Sequence, residues 1–170
     1  PSSHELAMLP TPTADALAHS QHLQTQLISQ IEAAGGWVSF ADFMSQALYA
    51  PGLGYYAAGA RKFGAAGDFV TAPEMTPLFG QALARQVAQI MQLSSPVVLE
   101  VGAGSGRLAA DILLALEAMD QLPDNYAILD LSPDLRERQR QTLKDAAPHL
   151  LSRVHWLETL PATFSGVVVA

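Results

Sequence analysis

The segment 97–106 constrains the fold of this chain more than any other, and it reads Val-Val-Leu-Glu-Val-Gly-Ala-Gly-Ser-Gly. Its first three residues are β-formers of the kind found in a central parallel strand that is covered on both faces. The three glycines that follow let the backbone turn sharply and approach a ligand closely. A helical pattern then begins at Arg107. A strand, a glycine turn and a helix in this order are typical of the first half of a nucleotide-type α/β site.

Strand and helix patterns alternate after Pro96. The predicted strands cover 97–101, 126–131, 153–157 and 167–170, and the helices between them cover 107 to about 119 and 133 to before Pro148. Ser132 and Pro133 open the second of these helices. Regular alternation implies parallel strands joined by right-handed crossovers, so the predicted fold class is α/β.

Helical patterns dominate the chain before Ser94. One predicted helix spans 14–34 and stops at a glycine pair, a second is N-capped by Ser39, and a third begins with Thr76 as N-cap and Pro77 at N1. We therefore expect three regions. They are a flexible tail at 1–13, a helical extension with a glycine-rich loop at 14–94, and the first part of an α/β domain at 95–170.

Composition excludes several classes of protein. The chain has 170 residues, a net charge of −7 and no cysteine, which argues against binding along a phosphate backbone and leaves no thiolate for metal binding or catalysis. We expect no metal site and no nucleic-acid partner. No segment reaches the ~20 apolar residues of a membrane span, and the first 13 residues do not resemble a signal peptide. Composition fits a bacterial cytoplasmic protein and a matured organellar one equally, and of the two we expect the bacterial cytoplasm rather than the mitochondrial matrix.

The spacing of the glycines separates two kinds of cofactor site. A dinucleotide fingerprint, G-x-G-x-x-G, needs glycine or alanine where this chain has Arg107. The chain instead has G-x-G-x-G, with Glu100 two residues ahead. Asp130, at the end of the second predicted strand, is placed to accept hydrogen bonds from ribose hydroxyls and lies about 24 residues after Gly106, near the expected ~20.

A second unusual segment covers 64–74 and reads Gly-Ala-Ala-Gly-Asp-Phe-Val-Thr-Ala-Pro-Glu. A loop of this complexity is more often functional than structural. It precedes a predicted helix and can fold over the strand ends where a cofactor would lie. Glu74 has a simpler alternative role as a carboxylate at the start of a helix.

Glu100 followed by G-x-G-x-G resembles motif I of class I S-adenosylmethionine-dependent methyltransferases. Further segments are similar to the MidA-like family, which includes the mitochondrial complex I assembly methyltransferase. The most specific is Gly-Asp-Phe-x-Thr-x-Pro-Glu at 67–74. The others are Leu-Tyr-Ala-Pro-Gly-Leu-Gly-Tyr-Tyr at 48–56, Phe-Gly at 63–64, Pro-Leu-Phe-Gly at 77–80 and Tyr-Ala-Ile-Leu-Asp-Leu-Ser-Pro at 126–133, with Leu135, Arg136 and Gln139. The resemblance covers roughly residues 28–170.

This resemblance implies a Rossmann-like class I methyltransferase sheet, here its N-terminal half with strands 1–4, preceded by a helical extension. It implies S-adenosylmethionine as cofactor and a protein substrate, with arginine as acceptor and a link to respiratory complex assembly. The implied cofactor-binding residues are Gly67, Asp68, Thr71, Pro73, Glu74, Glu100, Gly102, Ala103, Gly104, Gly106 and Asp130. Glu74 and Asp68 are the candidate catalytic carboxylates, because a guanidinium acceptor must be oriented and must lose a proton.

Such a sheet usually has about seven strands, so we expect the chain to be the N-terminal part of a longer protein. Two alternatives stay open at this point. One is an assembly or scaffold protein that keeps the cofactor fold without catalysis. The other is a nicotinamide or flavin oxidoreductase, against which Arg107 counts.

Overall fold

A computed structural model describes residues 12–57 and 71–170 of the chain. The contacts divide the chain into two compact units, 1–55 and 56–170. In the described parts, no helix is long and apolar enough to cross a membrane. The domain boundary expected at residue 94 and the tail expected at 1–13 remain predictions, and most of that tail lies outside the described residues.

The first unit contains two helices, α1 (Ala14–Ala33) and α2 (Phe40–Tyr49). Thr13 caps α1, since its Oγ1 accepts a hydrogen bond of 3.2 Å from the backbone N–H of Ala16. Gly35 and Gly36, the pair predicted to end α1, both have positive φ angles, which explains why the helix stops there. Ser39 caps α2 as predicted, because its Oγ accepts a hydrogen bond from the N–H of Asp42 at 3.1 Å.

The second unit contains the sheet and the helices packed against it. Its helices are α3 (Ala72–Met75), α4 (Leu78–Leu93), α5 (Arg107–Ala118) and α6 (Pro133–Ala146), with a 3₁₀ helix at Pro148–Arg153. Its strands are β1 (Val97–Val101), β2 (Asn125–Leu129), β3 (Val154–Leu157) and β4 (Val167–Val169).

The four strands are all parallel and lie in the order β3-β2-β1-β4. The prediction of an α/β fold with parallel strands is therefore confirmed. Side chains from β1, β2 and α5 that are fully enclosed form the centre of the core, namely Val98, Tyr126, Ile128, Ile112, Leu113 and Leu116. Burial on this scale is the main favourable contribution to folding.

Helix α5 contacts both α4 and α6. Gly80 permits a close approach between α4 and α5, because a Cβ added there would lie 2.5 Å from Cβ of Asp111. Any larger residue would push the two helices apart.

Several predicted boundaries differ from the structure by a few residues. Pro77 rather than Thr76 is the N-cap residue of α4, although Oγ1 of Thr76 accepts a hydrogen bond of 3.2 Å from the N–H of Leu78. β2 ends at Leu129, so Asp130 follows the strand instead of ending it. Residues 72–75, which the sequence predicts as loop, form the single turn α3, because Pro73 in its first turn favours a helical start.

Candidate functional site

The glycine loop lies at the carboxyl end of β1, where the order of the strands changes direction. β1 pairs with β2 on one side and with β4 on the other, which makes its end the topological switch point of the sheet. In open α/β sheets, ligands bind in the crevice outside the strand ends at this point. The position of the loop therefore identifies the candidate site.

All three loop glycines have positive φ, with values of 72°, 56° and 83° at Gly102, Gly104 and Gly106. Residues with a Cβ adopt such angles only with strain. A Cβ added at Gly102 or at Gly104 would meet no described atom within 4 Å. Two of the glycines therefore border space that is free of the described side chains, as a cofactor cradle requires.

Gly106 has a different role from the other two glycines. A Cβ at this position would lie 2.9 Å from Cα of Gln139, so α6 packs directly against the start of α5. The loop is thus held against α6 on one side and is open at Gly102 and Gly104.

Glu100 lies in β1 and is only 3% exposed. Its Oε2 accepts a hydrogen bond of 2.7 Å from the hydroxyl of Tyr126. Burial raises the pKa of Glu100 to about 7, the tyrosine hydrogen bond acts in the opposite direction, and the nearby charge of Asp130 raises it further. The pKa of Tyr126 is also raised, first by burial and then by Glu100. Glu100 is therefore a carboxyl that can change its charge near neutral pH.

Asp130 directly follows β2 and is also buried. Its Oδ1 accepts a hydrogen bond of 3.1 Å from the N–H of Ser132, and its Oδ2 accepts one of 2.8 Å from Nε2 of Gln139. Each carboxylate oxygen keeps further acceptor capacity. The side chain is therefore fixed in orientation while still able to accept hydrogen bonds from a ligand.

Sequence reasoning assigned no role to Gln139, although this residue is completely buried. Its Nε2 donates to Gly104 O at 3.2 Å as well as to Asp130, and its Oε1 accepts from Nε1 of Trp156 at 2.9 Å. The available signal was its position in the helix. Gln139 stands between Leu135 and Leu143 at intervals of four, on the buried stripe of α6, where a polar residue must find internal partners.

Glu74 lies in α3 and accepts a hydrogen bond from the Ser105 hydroxyl in the glycine loop. The structure thus brings one residue of the upstream segment to the loop. Thr71 precedes α3 without a side-chain capping hydrogen bond, and Pro73 lies in the first turn of that helix. Gly67 and Asp68 lie outside the described residues. The binding and catalytic roles assigned to all of these residues remain predictions.

Arg107, which occupies the place of the third glycine of a dinucleotide fingerprint, forms an ion pair with Asp111 one turn later in α5. Its Nη2 lies 3.0 Å from Oδ1 of Asp111, and its Nε donates to Oδ2 at 3.1 Å. The arginine therefore compensates a carboxylate that is almost entirely buried. Among the described residues, no cluster of histidine, aspartate and glutamate side chains could hold a metal ion.

Comparison with known proteins gives a consistent result. Residues 82–170 match the family described as "Putative S-adenosyl-L-methionine-dependent methyltransferase". The crystal structure of a COG1565 superfamily member from Burkholderia thailandensis, bound to S-adenosyl-homocysteine, is 53% identical in sequence. It superposes with a TM-score of 0.81 over 95% of this chain and 43% of that one.

Two curated relatives are mitochondrial proteins. The protein arginine methyltransferase NDUFAF7 of Danio rerio is 32% identical over 88% of this chain and 36% of its own length. The corresponding homolog of Caenorhabditis elegans is 30% identical over 73% of this chain and 30% of its own length. The chain thus spans about a third of the length of these relatives.

Proposed function

Because the chain belongs to this family of S-adenosyl-L-methionine-dependent methyltransferases, we propose that the protein transfers a methyl group from S-adenosylmethionine to a protein side chain. The observation that carries the proposal is the glycine loop at the switch point, open at Gly102 and Gly104 and flanked by Glu100 and Asp130. The resemblance of the chain to a structure that holds S-adenosyl-homocysteine supports the same cofactor.

Each part of the site has a proposed task in binding the cofactor. The loop from Gly102 to Gly106, including Ala103, would pass along the methionine end and the ribose, where only glycines permit close approach. Asp130 would accept hydrogen bonds from the ribose hydroxyls, a task for which its fixed orientation and free acceptor capacity suit it. An ionised Glu100 would favour the positively charged ammonium end.

The upstream segment, residues 64–74, would contribute the remaining part of the cofactor site. The hydrogen bond between Ser105 and Glu74 gives α3 a defined position against the loop. We therefore include Thr71, Pro73 and Glu74 among the binding residues. Gly67 and Asp68 follow from the family resemblance.

The cofactor, when bound, supplies a methyl group already activated by its sulfonium. The remaining task of the protein is to align the acceptor with that carbon and to exclude water. For an arginine acceptor, carboxylates must also orient the guanidinium and accept its proton. Glu74 is the described candidate, and its contact with Ser105 holds the carboxylate beside the loop. Asp68 is the second candidate.

Similar proteins support three further parts of the proposal, namely the acceptor residue, the biological role and the location. Two curated relatives are named protein arginine methyltransferases, which favours arginine as acceptor, and the family resemblance favours a role in respiratory complex assembly. An identity of 53% with a bacterial protein, against about 30% with mitochondrial ones, favours the bacterial cytoplasm as location.

Calorimetric titration with S-adenosylmethionine, and separately with NADH, tests the cofactor. We expect saturable binding of the first and none of the second. Transfer of an isotopically labelled methyl group to extract proteins, followed by mass spectrometry for methylarginine, tests the reaction. Binding of neither compound would overturn the proposal, binding of NADH alone would indicate an oxidoreductase, and cofactor binding without transfer would indicate a scaffold.

A further inference from the structure

Three parts of the candidate site converge on one side chain that does not belong to the glycine loop. The amide of Gln139 contacts the backbone of the loop through Gly104 O, the carboxylate of Asp130 after β2, and the indole of Trp156 in β3. All three contacts are made by a residue with no exposed surface. A buried amide with this many partners defines the relative position of the groups that it joins.

The chemistry of the three partners permits only one orientation of this amide. Gly104 O and the Asp130 carboxylate are acceptors, so each needs an N–H, whereas the indole N–H of Trp156 needs an oxygen. Rotating the amide by 180° would set oxygen against oxygen and donor against donor. Both amide hydrogens and the oxygen are therefore engaged in hydrogen bonds, and the side chain cannot turn without losing all three.

The backbone of α6 is fixed next to the same loop. Gly106 lacks the Cβ that would lie 2.9 Å from Cα of Gln139, so the helix backbone and the loop backbone are in close contact. At the start of the helix, Oγ of Ser132 accepts from the N–H of Leu135 at 3.2 Å. The N–H of Ser132 itself donates to Asp130. Helix α6 is therefore held at its start by these hydrogen bonds and at Gln139 by the close contact with Gly106.

The bond to Gly104 O also sets the direction of the next peptide N–H. In a trans peptide the C=O and the following N–H point in opposite directions. With the carbonyl held by Gln139, the N–H of Ser105 is directed to the opposite side of the loop. The donor pattern of the loop thus depends on this glutamine.

We infer that Gln139 is a positioning residue of the cofactor site, which holds the Asp130 carboxylate and the Gly104 peptide in the arrangement that binds S-adenosylmethionine. This inference rests on the proposed function. Gln139 acts through its two partners, and Trp156 in turn fixes the glutamine. Arg140 lies over the Trp156 ring at 4.5 Å and supports that indole.

Substitution Gln139→Glu tests the inference with little change in shape. At pH 8 the new carboxylate would face Asp130 at the present distance of 2.8 Å and would have no hydrogen to donate. We expect the affinity for S-adenosyl-homocysteine, measured by calorimetry, to fall about tenfold or more. At pH 5.5 a proton shared between the two carboxyls restores the donor to Asp130 but not the one to Gly104 O, and we expect part of the affinity to return.

The matched control is Gln141→Glu on the exposed side of α6. Nε2 of Gln141 donates to Oδ1 of Asp145 at 2.7 Å, so the same chemical change places a carboxylate beside another aspartate, but in solvent. There the repulsion is screened. We expect this variant to bind like the native protein at both pH values.

Glu100, with a pKa of about 7, also titrates in this range, and the Arg140 guanidinium lies over the Trp156 ring. The result is therefore expressed as the ratio of variant to native affinity at each pH. A ratio that changes between pH 8 and pH 5.5 supports a positioning role, since a general loss of packing would lower both values alike.

Trp156→Phe serves as the second variant if Gln139→Glu does not fold. It removes the donor to Oε1 of Gln139 and keeps an aromatic ring, and we expect an affinity loss of about two- to fivefold. A folded Gln139→Glu protein with native affinity at both pH values overturns the inference, as does native affinity in Trp156→Phe if only that variant folds. Absence of binding by the native protein instead contradicts the proposed function.

Discussion

The hydroxyl of Tyr126 donates a hydrogen bond of 2.7 Å to Glu100, and both side chains are buried in the second unit. The strand register pairs Tyr126 with Val98, two residues before Glu100, so the tyrosine and the glutamate are diagonal neighbours on one face of the sheet. The carboxyl thus stands in the core, immediately before the glycine loop. Its ionisation is therefore linked to the stability of the sheet.

The substitution Glu100→Gln should change how stability depends on pH. The pKa of Glu100 is raised from 4.5 to about 7 in the folded protein, so the folded state binds the proton more tightly. The resulting stabilisation is complete below pH 4.5, decreases as the pH rises and is lost above about 7. A glutamine cannot ionise and has no such dependence. Relative to the native protein, the variant should gain up to about 3 kcal/mol between pH 4.5 and 8.

Urea unfolding of both proteins at several pH values measures this difference. All other titratable groups are present in both proteins, so their contributions to the pH dependence cancel. Glu137→Gln, at an exposed position on α6, is the control and should leave the pH dependence unchanged. A constant difference between Glu100→Gln and the native protein across the range would contradict the prediction.

Tyr126→Phe should destabilise the protein, and more strongly at high pH. The variant leaves the buried carboxyl without its hydroxyl donor, which costs about 1–3 kcal/mol. Because the hydrogen bond lowers the pKa of Glu100, its removal should raise that pKa further and make ionisation more costly. Thermal unfolding at pH 5 and pH 8 checks the result. Equal destabilisation at both pH values would show that Glu100 does not respond to Tyr126.

Alanine at Gly104 and at Gly106 should have different effects. At Gly106 the positive φ and the contact with Gln139 act together, and we expect a loss of stability of about 2–4 kcal/mol. At Gly104 only the φ of 56° is unfavourable, so the stability loss should be about 1–2 kcal/mol, while the new methyl group occupies the open space and weakens cofactor binding.

Gly36→Ala is the matched control for this pair. Gly36 also has positive φ and no described atom within 4 Å of an added Cβ, but it lies after α1 in the first unit. The Gly36→Ala variant should lose about as much stability as Gly104→Ala does. It should bind S-adenosyl-homocysteine with the affinity of the native protein. If Gly104→Ala binds that compound as the native protein does, the cofactor does not approach the loop at this residue.

Asp130→Ala should weaken cofactor binding by about 1–3 kcal/mol, because the proposed ribose contact would be lost. It should also lower stability, since Gln139 and the N–H of Ser132 lose their acceptor. Calorimetry with S-adenosylmethionine measures the first effect and urea unfolding the second. Asp134→Ala, an exposed position in the first turn of α6, is the control. Unchanged affinity in Asp130→Ala would remove Asp130 from the site.

Local patterns in the amino-acid sequence were enough to predict the strands, the glycine loop, the Ser39 cap of α2 and the glycine pair that ends α1. A run of β-formers, three alternating glycines and a Ser-Pro start of α6 each act over a few neighbouring residues, so their structural effect is contained in the segment itself. The same patterns made Glu100 and Asp130 candidate site residues, because in a parallel sheet acidic residues at the ends of adjacent strands meet at one edge. The short helix α3 was missed, since a single turn has no periodicity to detect.

The contacts of Gln139, Ser105 and Tyr126 became visible only in three dimensions. Gln139 is one of several glutamines and arginines in α6, and its partners come from segments about 9 to 35 residues away. These contacts therefore depend on strand order and on the close approach at Gly106. In the same way, Glu100 acquires a pKa of about 7 only when folding removes it from water and places Tyr126 and Asp130 beside it. Burial and contacts between distant segments are properties of the packed chain, and no local pattern specifies them.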